Sequence, residues 1–322
     1  MNRSSVLLVV ALSVACAGAC AKAKRPSLQP SAPVAGGVMW VEPTNIATRD
    51  LFHGPWGKAN APDPADTFTL VEFKHSGVNL GMTVKDSRDR EWSVKTPYPG
   101  GLDSEAPVEV TLSRILSAVG YPQPPVYHLP AFRLKDDFGT RAMQGGRFRL
   151  KDASLKDQGA WQWEDNPFIG SPPYQGLLVM LMMFNSTDMK NSNNTLYLHR
   201  NGDLVEQWYV VRDLGAALGD TVFLAPRKNN VAAFESGPFI TGVSNGHVDF
   251  AYKGIYRKYV DDRIAATDVA WASEQLAKLS DRQWDDAFRA GGYQPDEAGR
   301  FIAKIKEKIQ AGRGLGSRAA RE

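Results

Sequence analysis

The sequence predicts an α+β fold in two lobes, strand-rich first and helix-rich second. Three observations carry this expectation: short alternating segments crowd the stretch before residue 165, longer apolar-periodic segments fill the stretch after it, and Asp165-Asn166-Pro167 supplies a joint. Hydrophobic residues make up 43% of the 322 positions and charged ones 23%, which excludes a disordered tail, a collagen-like fibre and a disulfide-dense mini-protein. The 38 Lys and Arg nearly balance 35 Asp and Glu, so no general basic surface argues for nucleic acid as a partner.

At the N-terminus, Arg3 precedes an apolar run from Val6 to Ala19 that closes on Ala17-Gly18-Ala19, the pattern of a secretory signal peptide over residues 1–19. The run falls short of the roughly 20 apolar residues that span a bilayer, and Lys22, Lys24 and Arg25 follow it. Ala17-Gly18-Ala19-Cys20 also resembles a bacterial lipobox without its usual Leu, which implies lipid on Cys20 and membrane anchoring. Two forms stay open: simple cleavage after Ala19, and a lipoprotein. Either makes the protein exported, whether periplasmic, membrane-anchored or secreted. Cys16 and Cys20 are the only cysteines, so the body has no disulfide framework and no multi-cysteine metal site.

Residues 20–66 are rich in Pro, Ala and Gly and read as a tether and an irregular arm, with Trp40, Leu51, Phe52 and Trp56 available to pack onto the body. The first lobe spans residues 67–165. It opens with strand signals over Thr67 to Phe73, Asn79 to Val84 and Glu91 to Lys95, broken by His75-Ser76-Gly77 and Asp86 to Asp89, which suggests a three-stranded antiparallel meander. A helix follows: Ser104 is placed to cap it, Pro107 sits in its first turn, Val108, Leu112, Ile115, Leu116 and Val119 recur at helical spacing, and Gly120 ends it. Short strands come next at Val126 to Leu129, Ala131 to Leu134 and Arg147 to Leu150.

The second lobe spans residues 166–312, with a tail over 313–322. Tyr174 to Phe184 is apolar on every side and belongs in a core. Thr195 to His199 and Glu206 to Arg212 form a hairpin around Asn201-Gly202. With those two as the loop, Asn193 stands opposite Val210, and Asp213 lies three residues further on. Helices over Ala266 to Leu279, Ser280 to Ala290 and Pro295 to Ile309 complete the lobe.

The chemistry concentrates at two places. Asp188-Met189-Lys190-Asn191-Ser192-Asn193 directly follows the apolar helix, and Asp213-Leu214-Gly215 follows the hairpin. Here the sequence resembles the protein-kinase-like superfamily, whose catalytic loop reads Asp-x-Lys-x-x-Asn and whose metal-binding turn reads Asp-x-Gly. Ser186-Thr187 stands where His-Arg is usual, Leu214 replaces Phe, and no Ala-Pro-Glu follows. The chain therefore looks like an atypical bacterial member, HipA-like, phosphatidylinositol-kinase-like or secreted-kinase-like. The missing arginine argues against control by a phosphorylated activation loop.

The resemblance implies roles. Asp188 would orient or accept the acceptor's proton, and Lys190 would stabilise charge on the moving phosphoryl group. Asn193 and Asp213 would supply hard oxygens to Mg²⁺, or Mn²⁺ in its place. Lys95, ending the third strand, would bind the phosphates of ATP and pair with Glu109 on the following helix, with Glu105 as competitor. Gly77 and Gly81 would let backbone N–H groups approach the phosphates, although a full Gly-x-Gly-x-x-Gly is absent.

Other motifs are weaker. Gly242-Val243-Ser244-Asn245-Gly246 fits a serine-hydrolase elbow, but the strand-like alternation from His247 makes Ser244-Asn245-Gly246 a hairpin turn. The five histidines are scattered and form no helical metal pair. The expected function is an ATP- and Mg-dependent phosphotransferase acting on an unidentified protein or small-molecule acceptor. Its alternatives are a silent pseudokinase or ligand-binding scaffold, and nucleotidyl transfer at the same site.

Overall fold

Alternation of buried and outward positions from Thr67 onward closes into a five-stranded barrel. The computed structural model describes residues 34–74, 79–97, 105–222 and 224–319. The expected signal segment, Cys20 and the Ser104 cap lie outside these residues. Strands β2 (Thr67–Lys74), β3 (Leu80–Lys85) and β4 (Glu91–Thr96) form the antiparallel meander. The meander closes through β5 (Val126–Asp136) and β6 (Gly139–Leu150), in the order β2-β3-β4-β6-β5. β2 and β5 pair in parallel to seal it.

Two short segments expected around Pro130 are one continuous strand, β5, because Pro130 points outward and its missing N–H is tolerated there. The barrel interior holds Phe68, Val84, Trp92, Val94, Leu134 and Phe148, all fully buried. Burial of Trp92, Val94 and Phe148 puts Lys95, Arg147 and Arg149 on the barrel's outer face, since side chains alternate along a strand. Helix α1 (Ala106–Ala118) packs against that region, and Gly120 (φ +106°) lets the chain turn tightly under Val41 and Trp40.

The arm is more regular than its composition suggests. β1 (Val34–Val38) adds in parallel to the edge of a four-stranded sheet ordered β1-β9-β8-β7, in which β7 is Leu155–Asp157, β8 is Asn194–Asn201 and β9 is Leu204–Val211. No strand signal marks β1 because its pairing partner, β9, lies some 170 residues away along the chain. Met39 and Leu51 are buried, and the Trp40 indole packs edge-on against Trp271 at 5.3 Å.

The helical lobe is built on α2 (Pro172–Met183), capped by the Ser171 hydroxyl and buried along nearly its whole length. Short helix α3 (Val231–Glu235) and hairpin β10 (Ile240–Ser244) with β11 (His247–Phe250) follow. Ser244 ends β10, its hydroxyl bonds Asp249, and Asn245-Gly246 forms the turn, so no elbow presents this serine. Helices α4 (Ala266–Ala277), α5 (Asp281–Gly291) and α6 (Pro295–Ala319) close the lobe, α6 running ten residues past the expected Ile309. Arg313 in that extension pairs with Glu274 at 2.7 Å. The result is a two-lobed α+β fold, strand-rich before and helical after.

Candidate functional site

The hairpin β8–β9 brings two of the expected site residues together by register. Asn201 pairs with Leu204, so the loop is Gly202-Asp203 and not Asn201-Gly202. This shift places Asn193 opposite Arg212, whose N–H donates to the Asn193 carbonyl at 3.0 Å. Asp213 is then one residue beyond Asn193's partner instead of three.

Asp213 adopts φ +56°, a left-handed conformation that an Asp tolerates better than most side chains. Its Oδ1 lies 2.9 Å from Lys95 Nζ and 3.0 Å from Arg149 Nη2. Arg147 Nη2 stands further off at 3.9 Å. Glu109, in the first turn of α1, places Oε1 2.6 Å from Arg149 Nη2 and 2.9 Å from Arg147 Nε. The Arg147 contact is electrostatic rather than an aligned hydrogen bond: Arg147 Nε has no hydrogen-bond partner among the described residues, while its Nη1 donates to Ser93 O at 2.8 Å.

The expected Lys95–Glu109 pair is therefore corrected. Lys95 turns to Asp213, and Glu109 is held by two arginines. The reason is burial. Arg147 and Arg149 expose 1% and 11% of their side chains against 35% for Lys95, so their guanidiniums have more to lose without a counter-charge. Glu105, the competitor, bonds Lys228 and Asn79 and leaves Lys95 alone.

These contacts set the electrostatics. Burial alone would raise the Glu109 carboxyl, but Arg147 and then Arg149 hold it below its ordinary value. For Asp213, burial is likewise outweighed by Arg149, Lys95 and Arg147, which keep it ionised far into the acid range. Arg149 is desolvated, yet Glu109 and Asp213 hold its proton more tightly than usual. Three cations meet two carboxylates, so the cluster carries one positive charge in excess, which suits an arriving phosphate.

Asp188, Lys190 and Asn193 form a second group at the hairpin mouth. Lys190 Nζ pairs with Asp188 Oδ2 at 2.8 Å, a hydrogen bond that raises the Lys190 ammonium. Asn193 Nδ2 donates to the Asp188 carbonyl at 2.7 Å and fixes the loop. Tyr256 OH reaches Asp188 Oδ1 at 3.5 Å. Thr187 ties this loop to the Asp213 segment through its N–H and hydroxyl, which donate to Ala216 O at 2.8 and 3.0 Å.

Gly81 sits inside β3, in register with Lys95 on one side and Lys74 on the other, so it belongs to the ladder rather than to an open loop. Gly77 lies outside the described residues. Sequence reasoning missed Arg147, Arg149, Tyr256 and Lys228. The Arg147-Phe148-Arg149 alternation was a usable signal: an inward Phe puts two cations on one strand face.

A divalent ion is compatible with this donor set. Asp213 and Asn193 are oxygen donors one residue out of register, and the cationic contacts of Asp213 fall on Oδ1, none of the described ones on Oδ2. No group of three or more His, Cys, Asp or Glu capable of holding a metal occurs among the described residues. An ion here would draw the rest of its shell from phosphate and water, the usual habit of Mg²⁺.

No family model and no curated protein matches the sequence. Among solved structures, the chain is similar to the Golgi casein kinase at 8% identity and TM-score 0.41, over 79% of this chain and 73% of that one. It is similar to the Helicobacter pylori proinflammatory kinase CtkA at 10% identity and TM-score 0.32, over 76% and 98%. The Rio2 kinase of Chaetomium thermophilum, solved as an ADP/Mg²⁺-phosphoaspartate complex, matches at 12% identity and TM-score 0.36, over 76% and 72%. Overlap this loose carries no weight for activity, which rests on the chain's own residues.

Proposed function

We propose that the protein is an exported phosphotransferase that binds ATP with Mg²⁺ or Mn²⁺ and phosphorylates a hydroxyl acceptor. The observation that carries this reading is the convergence of Lys95, Asn193 and Asp213 from three separate segments, with Asp188 and Lys190 on the adjoining loop. Bound metal would supply charge neutralisation on the phosphates, held by Asn193 and Asp213. Lys95 and Arg149 offer N–H donors to phosphate oxygens. Asp188 orients the acceptor and takes its hydroxyl proton as the acceptor oxygen bonds to the γ-phosphorus and the bridging oxygen leaves with ADP. Lys190 counters charge on the transferred group.

A second reading is favoured by one contact. With Asp213 Oδ1 engaged by both Lys95 and Arg149, the carboxylate is already neutralised, as in a scaffold that has lost turnover. The purified chain with ATP and Mg²⁺ or Mn²⁺, analysed by mass beside Asp213→Asn, separates the two. A product gain of about 80 Da marks phosphoryl transfer and about 329 Da adenylyl transfer. A nucleotide-dependent thermal shift without turnover supports the scaffold; neither shift nor consumed ATP overturns both. Export and the Cys20 anchor belong to the same proposal: Cys20→Ala should release the protein from membranes, and unchanged fractionation removes the anchor.

A further inference from the structure

A cavity of about 980 Å³ lies between the arm, Arg114 of α1, β5 and the end of α5. It is at the upper end of the range that holds small organic ligands. Arg114 of α1 lines it and exposes only 3% of its surface. Arg147, similarly buried, has Glu109 beside it, whereas Arg114 has no carboxylate within ion-pair distance among the described residues. Its protein contacts are weak for a buried cation: Nε reaches Phe52 O at 3.4 Å, and the guanidinium carbon lies 5.0 Å from the Tyr127 ring centre. Asp50 is near enough to act on its charge, but is engaged by His53 Nδ1 at 2.8 Å and by two backbone N–H groups. Burial lowers Arg114 to about 10, so it stays cationic at neutral pH.

We infer that this cavity binds a small amphipathic monoanion, a carboxylate head on Arg114 with an apolar body along Tyr127, Leu129 and Pro62. A buried cation without a counter-charge is strongly unfavourable, and an arriving carboxylate relieves it with charge-assisted hydrogen bonds. The remaining lining charges set the class. Lys58 and Arg88 match Asp63 and Asp66 in number along the lining, so Arg114 supplies the excess of one, matched by one negative charge rather than by a polyphosphate. Arg88 is further occupied by the carbonyls of Ala59 and Ala61, both at 3.1 Å. Gly54 wraps the arm over the guanidinium so closely that a Cβ there would meet Nη1 at 2.6 Å.

The test is calorimetric titration of the full chain with decanoate and with decanol, which differ in the head group. Decanoate should saturate at one site and bind about tenfold or more tighter than decanol. Arg114→Met keeps the bulk and should abolish this preference while raising the melting temperature, because an unpaired buried charge is removed. Ala290→Trp leaves Arg114 in place, fills the cavity from α5 and should block both ligands. Absence of decanoate binding to the unaltered chain, or equal decanoate affinity in Arg114→Met or Ala290→Trp, overturns the site. The readout needs no phosphoryl transfer.

Discussion

Lys95 Nζ lies 2.9 Å from Asp213 Oδ1, joining a barrel strand to the segment after the β8–β9 hairpin across 118 residues of chain. Arg149 Nη2 shares the same carboxylate oxygen and also holds Glu109, so a single guanidinium links α1, the barrel and the hairpin. The electrostatics of the cluster depend on this shared arrangement.

Asp213→Asn keeps the shape of the side chain and removes its charge. Nucleotide turnover should fall by about 100-fold or more, and EDTA should stop turnover in the unaltered chain. Both are read from ATP consumed and product mass; full turnover in Asp213→Asn would take this residue out of the site.

Lys95→Met should weaken nucleotide binding by about tenfold or more, the worth of one charge-assisted hydrogen bond to phosphate. Arg149 still holds Asp213 in the variant, and Lys95 is about one third exposed, so folding stability should change by no more than about 1 kcal/mol. Calorimetric titration and urea unfolding measure the two effects separately. A large stability loss with unchanged nucleotide affinity would make Lys95 a structural residue.

Glu109→Gln strands two buried guanidiniums with less counter-charge. Breaking a buried pair in this way should destabilise the chain by about 3–5 kcal/mol. Replacing Glu109 and Arg147 together by Met should recover much of the loss. Urea midpoints decide; a midpoint within experimental scatter of the parent would show the pair to be energetically idle.

Acid should act through the same carboxylates. Asp213 and Glu109 are both held below their ordinary values in the fold. Their unfolded values are about 3.9 and 4.3, so the stabilisation is fully present above about pH 4.3 and is lost as the pH falls toward the lower folded values. Unfolding free energy attributable to them should be level from neutral pH to about pH 5 and decline below about pH 4. Asp213→Asn should flatten part of that decline, and identical acid slopes in the two proteins would contradict the assignment.

Gly215 closes the Asp-Leu-Gly turn against the start of α1. A Cβ there would stand 2.7 Å from Glu105 Cβ and 2.8 Å from Glu105 O, and a backbone oxygen has no rotamer with which to withdraw. Gly215→Ala should therefore shift the first turn of α1, where Glu109 sits, and lower stability by about 1–3 kcal/mol. Thermal unfolding together with turnover reads it; a neutral outcome would mean that α1 yields freely.

The meander, α1, α2 and the hairpin were legible because each carries a local signal: alternation, a 3.6-residue period, or turn residues at a fixed offset. Asp188, Lys190, Asn193 and Asp213 were legible as a spaced pattern behind those elements. β1 was not, since a Gly-rich strand declares itself only through its partner. Nor was the closure of the barrel, which depends on β2 meeting β5 about 65 residues later. The hairpin was placed two residues out of register because Asn-Gly is a strong turn signal, while the pairing across eight residues on each strand puts Gly202-Asp203 at the turn.

By itself, the sequence determined which residue types are available for phosphate chemistry, and that the body is an α+β protein without cysteines. The tertiary structure decided who pairs with whom. A carboxylate goes to the cations that lose most water on burial, and burial is a property of the packed fold, so Glu109 went to Arg147 and Arg149 and left Lys95 to Asp213. The same reasoning applies to Arg114, an ordinary helix arginine in the sequence, which packing alone places at a cavity with no carboxylate within ion-pair distance among the described residues.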